Sequence, residues 1–174
     1  MLRIYDEYKT HGVDKYYLEN SDKYYNPHQE KIEAIFIKHI MNHTSRNETI
    51  LDIACGDGLI SRLVHHHINN YNIDGCDPYF DNQYVSLKLS FEDIALGQLK
   101  KRYDLAFCCY AFHLIKEEWK YDFLTNLAYN VSRFIIITPS KKIIINHPFW
   151  TILEYIREDK ITIIMLKNSL TLEL

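Results

Sequence analysis

No stretch of this chain stays apolar long enough to span a bilayer; even Phe134-Ile135-Ile136-Ile137-Thr138 stops at Pro139. The opening residues, Met1-Leu2-Arg3-Ile4-Tyr5-Asp6-Glu7, lack the apolar segment of an export signal. Both absences lead to the expectation of a cytoplasmic protein with no membrane partner. Basic charge is not in excess either: 20 Lys and Arg stand against 23 Asp and Glu, a net charge of −3. That argues against a strongly basic nucleic-acid-binding surface, although local contacts to RNA or DNA stay open. There is no repeat, no long low-complexity segment and no interdomain linker. Cysteines number four, and Cys55, Cys76, Cys108 and Cys109 all fall on or beside predicted strands. Their apolar surroundings favour buried thiols over disulfides or a metal site. His65-His66-His67 occupy consecutive positions of a predicted helix and point in different directions, so no metal is expected.

What remains is an ordinary folded composition, with 47% hydrophobic and 25% charged residues in 174. That length suits one core, and residues 1–174 are read as a single domain. The chain is organised around Thr49-Ile50-Leu51-Asp52-Ile53-Ala54-Cys55-Gly56-Asp57-Gly58. Its β-branched apolar start reads as a buried parallel strand, and the glycines then permit a tight turn. Leu59, Ile60, Leu63, Val64, His67 and Ile68 follow at helical spacing, which places Gly58 at a helix N-terminus that a ligand can approach closely. Gly56 and Gly58 fit the first two glycines of a dinucleotide-binding turn, but Ser61 stands where the third belongs.

The same alternation continues downstream. Residues 72–77 read as a second strand ending at Asp77, 19 residues beyond Gly58 and close to the separation at which an acid meets ribose hydroxyls. Pro78 turns the chain out at the strand's carboxyl end. Residues 84–90 form a third candidate strand, 103–109 a fourth and 134–138 a fifth. Trp119, Phe123, Leu124, Leu127, Ala128 and Val131 mark a core-facing helix. Residues 146–150 are read as leading into another helix, with His147 either touching substrate or packing on Trp150. Ile161-Thr162-Ile163-Ile164-Met165-Leu166 is taken as a sixth strand, leaving only residues 169–174 for an abbreviated final one. Upstream, Asn26, Pro27 and Gln29 suit the start of a helix over about residues 27–41. The tyrosine-rich segment 1–26 is either a lid or a structural cover.

The Asp52-to-Gly58 loop resembles motif I of the class I S-adenosylmethionine-dependent methyltransferases, with support from Asp77 and from Tyr110-Ala111-Phe112-His113 after the fourth strand. The resemblance implies a three-layer Rossmann-like α/β fold, with strand order 3-2-1-4-5-7-6 and an antiparallel C-terminal strand. It implies S-adenosylmethionine as cofactor, contacted by Asp52, Gly56, Gly58, Asp77, Asp93 and Ile94. Glu92 competes with Asp93 for the adenine side, and both acids also suit a helix cap. Tyr110 and His113 become the acceptor-side, catalytic candidates; His113 either takes a proton, orients the acceptor or packs under the following helix. The implied function is methyl transfer to a nucleophilic acceptor, with a small molecule favoured and a protein or RNA acceptor open. No Asn/Asp-Pro-Pro-aromatic sequence marks base N-methylation. A Rossmann-like oxidoreductase and a noncatalytic methyltransferase-like interaction protein are the alternatives.

Overall fold

A computed structural model of the chain describes residues 12–21, 25–70 and 72–170. Seven strands form one sheet in the order β3-β2-β1-β4-β5-β7-β6. The strands are β1 (Ile50–Ile53), β2 (Ile73–Cys76), β3 (Val85–Leu87), β4 (Tyr103–Cys109), β5 (Val131–Thr138), β6 (Trp150–Glu158) and β7 (Ile161–Asn168). The first five run parallel, and β7 lies antiparallel between β5 and β6. The helices are α1 (Val13–Asn20), α2 (Gln29–Ile35), α3 (Leu59–Ile68), α4 (Phe91–Ala95) and α5 (Glu117–Ala128).

Central strands that are covered on both faces must be apolar on both, which is why β4, β5 and β7 read as continuous hydrophobic runs. Their alternate residues divide between two cores. Ala106, Cys108, Phe134, Ile136, Ile164 and Leu166 pack with Phe123, Leu124 and Leu127 of α5. Leu105, Phe107, Ile135, Ile137, Ile163 and Met165 pack with Ile32, Ile35, Leu59, Ile60 and Leu63 of α2 and α3. The result is a sheet between two helical layers. Gly75 is required where β2 meets β3, because a Cβ there would come within 2.0 Å of the Tyr84 carbonyl oxygen.

Helix α2 starts at Gln29, two residues after the start read from the sequence, with His28 and not Asn26 at its N-cap and no side-chain cap bond, and it then widens: Phe36–Ile40 form a π turn and Met41–His43 a 3-10 turn. Asn26 is buried, and its side-chain oxygen accepts from the His28 N–H at 2.9 Å.

The C-terminal part departs from the sequence reading. Residues beyond Trp150 form strand β6 and not a helix, and Ile161–Asn168 is the seventh strand, inserted between β5 and β6. The hairpin is therefore full length, with eight paired positions. Its two-residue turn, Asp159-Lys160, has positive φ at both positions (47° and 68°), the backbone of a type I′ connection. This turn lacks the usual glycine. The edge strand β6 also hid its period, because Ile152, Leu153 and Tyr155 are exposed and a bulge falls between Ile152 and Glu154. Residues 171–174, which the sequence reading assigned to the final strand, lie outside the described residues. His147 is tied to α5, its Nε2 lying 2.9 Å from the Thr125 hydroxyl, while Trp150 donates from Nε1 to the Leu124 carbonyl.

A candidate active site at the carboxyl edge of the sheet

A cavity of about 290 Å³ opens at the carboxyl ends of the parallel strands. Its floor is the turn after β1, residues 54–57, and Gly58, which completes the turn, lies outside the lining. Here the backbone takes positive φ at Ala54 (53°), Gly56 (54°) and Gly58 (80°). Glycine is indispensable at the last of these, since a Cβ on Gly58 would also stand 2.2 Å from the Tyr84 ring. Ala54 carries its side chain in the left-handed region at some cost in strain. Across the adjoining strand end Tyr110 does the same, with φ 58°. Both residues line the cavity. Strain of this kind costs about 1–3 kcal/mol per residue and persists where the surroundings enforce it.

Beneath the floor, Asp52 is 1% exposed. Ser61 gives it both a backbone N–H (3.2 Å) and a hydroxyl (3.0 Å), directed to the same carboxylate oxygen. Ser61, which broke the glycine pattern in the sequence, thus supplies the donors that a buried acid needs. Burial still pushes Asp52 up to about 7, against the Ser61 bonds and with help from the nearby Asp77 and Asp57 charges. Asp77, just past β2, binds the turn: Oδ2 accepts from the Gly56 N–H (3.0 Å), and Oδ1 accepts from Tyr79 (2.9 Å) and Phe80 (3.3 Å). Burial raises its carboxyl too, opposed by those three N–H groups. Cys55 and Cys109 line the cavity as thiols held well above their ordinary range by burial.

The β3 side of the wall is Leu89, Ser90, Phe91 and Glu92. The two residues chosen from sequence for this side stand differently. Asp93 turns its carboxylate back onto Ser90 N (2.8 Å), Ser90 Oγ (2.7 Å) and Gln98 Nε2 (2.8 Å), closing a reciprocal cap on α4. Ile94 is fully buried in the core. Glu92 faces the cavity and pairs with Lys116 at 3.2 Å. The Ser-x-x-Asp spacing of a capping box was the signal in the sequence that separates Asp93 from the wall. On the β4 side the lining is Cys109, Tyr110, Ala111, Leu114, Ile115, Lys116 and Trp119. His113, on the short turn Phe112–Leu114, is exposed and is not part of this lining; the packing around its ring lowers its affinity for a proton.

Gly12, Tyr17 and Asn26 of the N-terminal segment reach the cavity. Tyr17 of α1 lines the cavity and stacks on Tyr79, with ring centres 5.9 Å apart and planes 13° from parallel. Tyr16 meets Tyr17 edge-on at 5.3 Å. Residues 1–11 and 22–24 of the tyrosine-rich segment lie outside the described residues. Among the described residues no group of three acids, histidines or cysteines is arranged to hold a metal, and no helix is long and apolar enough to cross a membrane.

No family model and no curated protein matches this sequence. Solved structures do match its fold. Magnesium protoporphyrin IX methyltransferase from Synechocystis, with bound S-adenosylmethionine, superposes with a TM-score of 0.59 at 16% identity, covering 94% of each chain. The chain has the class I methyltransferase fold. An O-methyltransferase family protein from Burkholderia thailandensis gives a TM-score of 0.66 at 10% identity, over 95% of this chain and 62% of that one. An rRNA methylase from Escherichia coli gives 0.59 at 16%, over 80% and 64%. These three neighbours share the fold while their names point to unlike acceptors.

Proposed function

We propose that this protein transfers a methyl group from S-adenosylmethionine to a small nucleophilic acceptor. The observation that carries the reading is the cavity's position. It sits where the strand order reverses between β1 and β4, at the carboxyl edge where open α/β sheets take their ligands, and it joins the Gly56–Gly58 turn, Asp77 and the β3 wall. The fold's relatives support the cofactor, since the Synechocystis enzyme holds it.

The chain's own residues fit such a ligand. Asp77 brings a carboxylate to the turn, which favours a cationic ligand over an anionic one, while Asp57 beside it pairs with Arg62 at 3.3 Å. Asp77 has its oxygens anchored by backbone N–H groups yet keeps acceptor capacity for a ribose diol. Phe91, Leu89 and Ile115 offer apolar faces for a flat base, with Ser90 and Glu92 as polar partners at its edge. When bound, the cofactor supplies an already activated methyl group, so the protein's task is alignment and shielding from water. Tyr110 and Ala111 border the acceptor side, and Tyr17 on Tyr79 closes the mouth. Among the described lining residues there is no histidine. An acceptor that presents a free lone pair without prior deprotonation suits this arrangement best, with His113 outside the lining.

Calorimetry tests the reading. S-adenosylmethionine or S-adenosylhomocysteine should bind the folded protein, NAD should not, and Asp77→Ala should weaken binding by about tenfold or more through lost hydroxyl contacts. Binding of NAD with no binding of either adenosyl ligand refutes it. Labelled methyl transfer into a pool of small metabolites, compared with protein and RNA pools, then tests the acceptor class.

A further inference from the structure

Asn26 is a buried polar residue, 6% exposed, and it borders the cavity. Its Oδ1 accepts from the His28 N–H at 2.9 Å, which fixes the orientation of the amide and turns Nδ2 the other way. That nitrogen carries two N–H donors and meets no acceptor among the described residues. Nor is it sealed in: among the described residues, the enclosed side-chain polar atom left without a partner is His67 Nε2 and not Asn26 Nδ2. Helix α2 makes no use of the donors, since His28 is its N-cap and no side chain caps it. Buried donors are costly to leave unmet, and the open space that Asn26 borders is the cavity.

The segment that carries Asn26 is tied to the acceptor side. The His28 ring lies 5.3 Å from the Tyr110 ring, centre to centre. Tyr110 lines the cavity, and its hydroxyl meets no partner among the described residues. Burial pushes this phenol up to about 12, so it stays a donor at neutral pH. Asn26 and Tyr110 thus bring neutral donors to the lining. Its charges are engaged elsewhere. Lys116, the one cation among the described lining residues, pairs with Glu92 at 3.2 Å, Asp57 pairs with Arg62 at 3.3 Å, and Asp77 holds the turn through the Gly56 N–H. An anion set against Asn26 and Tyr110 loses its hydration and meets no opposite charge there, whereas a carbonyl oxygen offers two lone pairs to two neutral donors.

We propose that Asn26 Nδ2 and the Tyr110 hydroxyl hold the acceptor by an uncharged carbonyl oxygen. The acceptor is then a small neutral carbonyl or carboxamide compound, with its nucleophilic atom elsewhere in the molecule. The inference rests on the methyl-transfer reading above and adds the acceptor's chemistry to it.

The test titrates full-length protein, saturated with S-adenosylhomocysteine, with nicotinamide, nicotinate and the isopropyl analogue of nicotinamide. The three share a ring nitrogen with a free lone pair and differ in carrying a carboxamide, a carboxylate or an apolar group. In nitrogen-edited spectra the Asn26 side-chain amide pair, identified by its loss in Asn26→Asp, should shift saturably with nicotinamide, whose affinity should be about tenfold above that of each of the other two. Asn26→Asp keeps an oxygen for the His28 N–H and removes only the donors, while Tyr110→Phe removes the hydroxyl. In each variant, followed by the Ala111 backbone amide, nicotinamide should fall to within about threefold of the isopropyl analogue, with S-adenosylhomocysteine affinity unchanged. No saturable shift from nicotinamide, equal or tighter binding of nicotinate or the isopropyl analogue, or a carboxamide preference that survives in either folded variant overturns the proposal. So does a fall in S-adenosylhomocysteine affinity in Asn26→Asp while methylthioadenosine affinity holds, since that assigns the amide to the cofactor's amino-acid part. Should S-adenosylhomocysteine fail to bind the wild type, the methyl-transfer reading falls, and the same titration on ligand-free protein still decides the carbonyl preference.

Discussion

Replacing Asp52 by asparagine should change how stability depends on pH more than it changes stability itself. The amide keeps the shape and the oxygen that accepts from both Ser61 donors, but it does not titrate. In the wild type, burial holds the carboxyl at about 7 in the folded state, against 3.8 as the ordinary value. Between those values the folded protein retains a proton that the unfolded chain has lost. This contribution is full below the unfolded value and disappears as pH rises through the folded one. At about 1.4 kcal/mol per unit, the whole shift is worth on the order of 4 kcal/mol, and about 3 kcal/mol of it falls between pH 5 and pH 8. Urea unfolding of both proteins at those two pH values gives the quantity directly, as the change in their stability difference. The wild type should lose about 3 kcal/mol relative to Asp52→Asn on going from pH 5 to pH 8. A difference that stays within about 0.5 kcal/mol across that range, with equal urea slopes, would refute a protonated Asp52 under the glycine turn.

Gly58→Ala meets both a positive φ and the Tyr84 ring, so it should destabilise the fold by about 2 kcal/mol or more and weaken adenosyl-ligand binding; an unchanged melting temperature and affinity would contradict the tight turn. Ser90→Ala removes the α4 cap and should cost about 1 kcal/mol in chemical unfolding, whereas a loss below about 0.3 kcal/mol would show that Asp93 caps the helix without it. Tyr17→Ala should leave unfolding of the core nearly unchanged and speed dissociation of S-adenosylhomocysteine, read by stopped-flow fluorescence; an unaltered off-rate removes the cover from the mechanism. His113→Ala should preserve the pH dependence of turnover once an acceptor is in hand, because the ring stands outside the cavity lining; loss of a limb near neutrality would return it to base chemistry.

The local sequence determined the elements whose physics is local. The apolar runs of β1, β4 and β5 could only be strands covered on both faces, and the glycine turn into α3 needs Gly58 for its backbone alone. Alternation of such strands with amphipathic helices, together with the motif resemblance, was enough to anticipate the sheet order. Where pairing partners decide the outcome, local pattern failed. β6 is an edge strand whose Ile152, Leu153 and Tyr155 face solvent and whose bulge breaks the period of two, so only its ladder with β7 makes it a strand. The site divides the same way. Asp52, Gly56 and Asp77 line the cavity from positions at or beside strand ends, and that placement was legible from the spacing of acid and glycine, whereas Gly58 shapes the turn from outside the lining. The wall of Ser90, Phe91 and Glu92, the withdrawal of Asp93 into a cap, and the exposure of His113 depend on how α4 and α5 meet the sheet. Ser61 shows the reason most directly: in the sequence it is a missing glycine, and only its approach to a buried Asp52 makes it a hydrogen-bond donor.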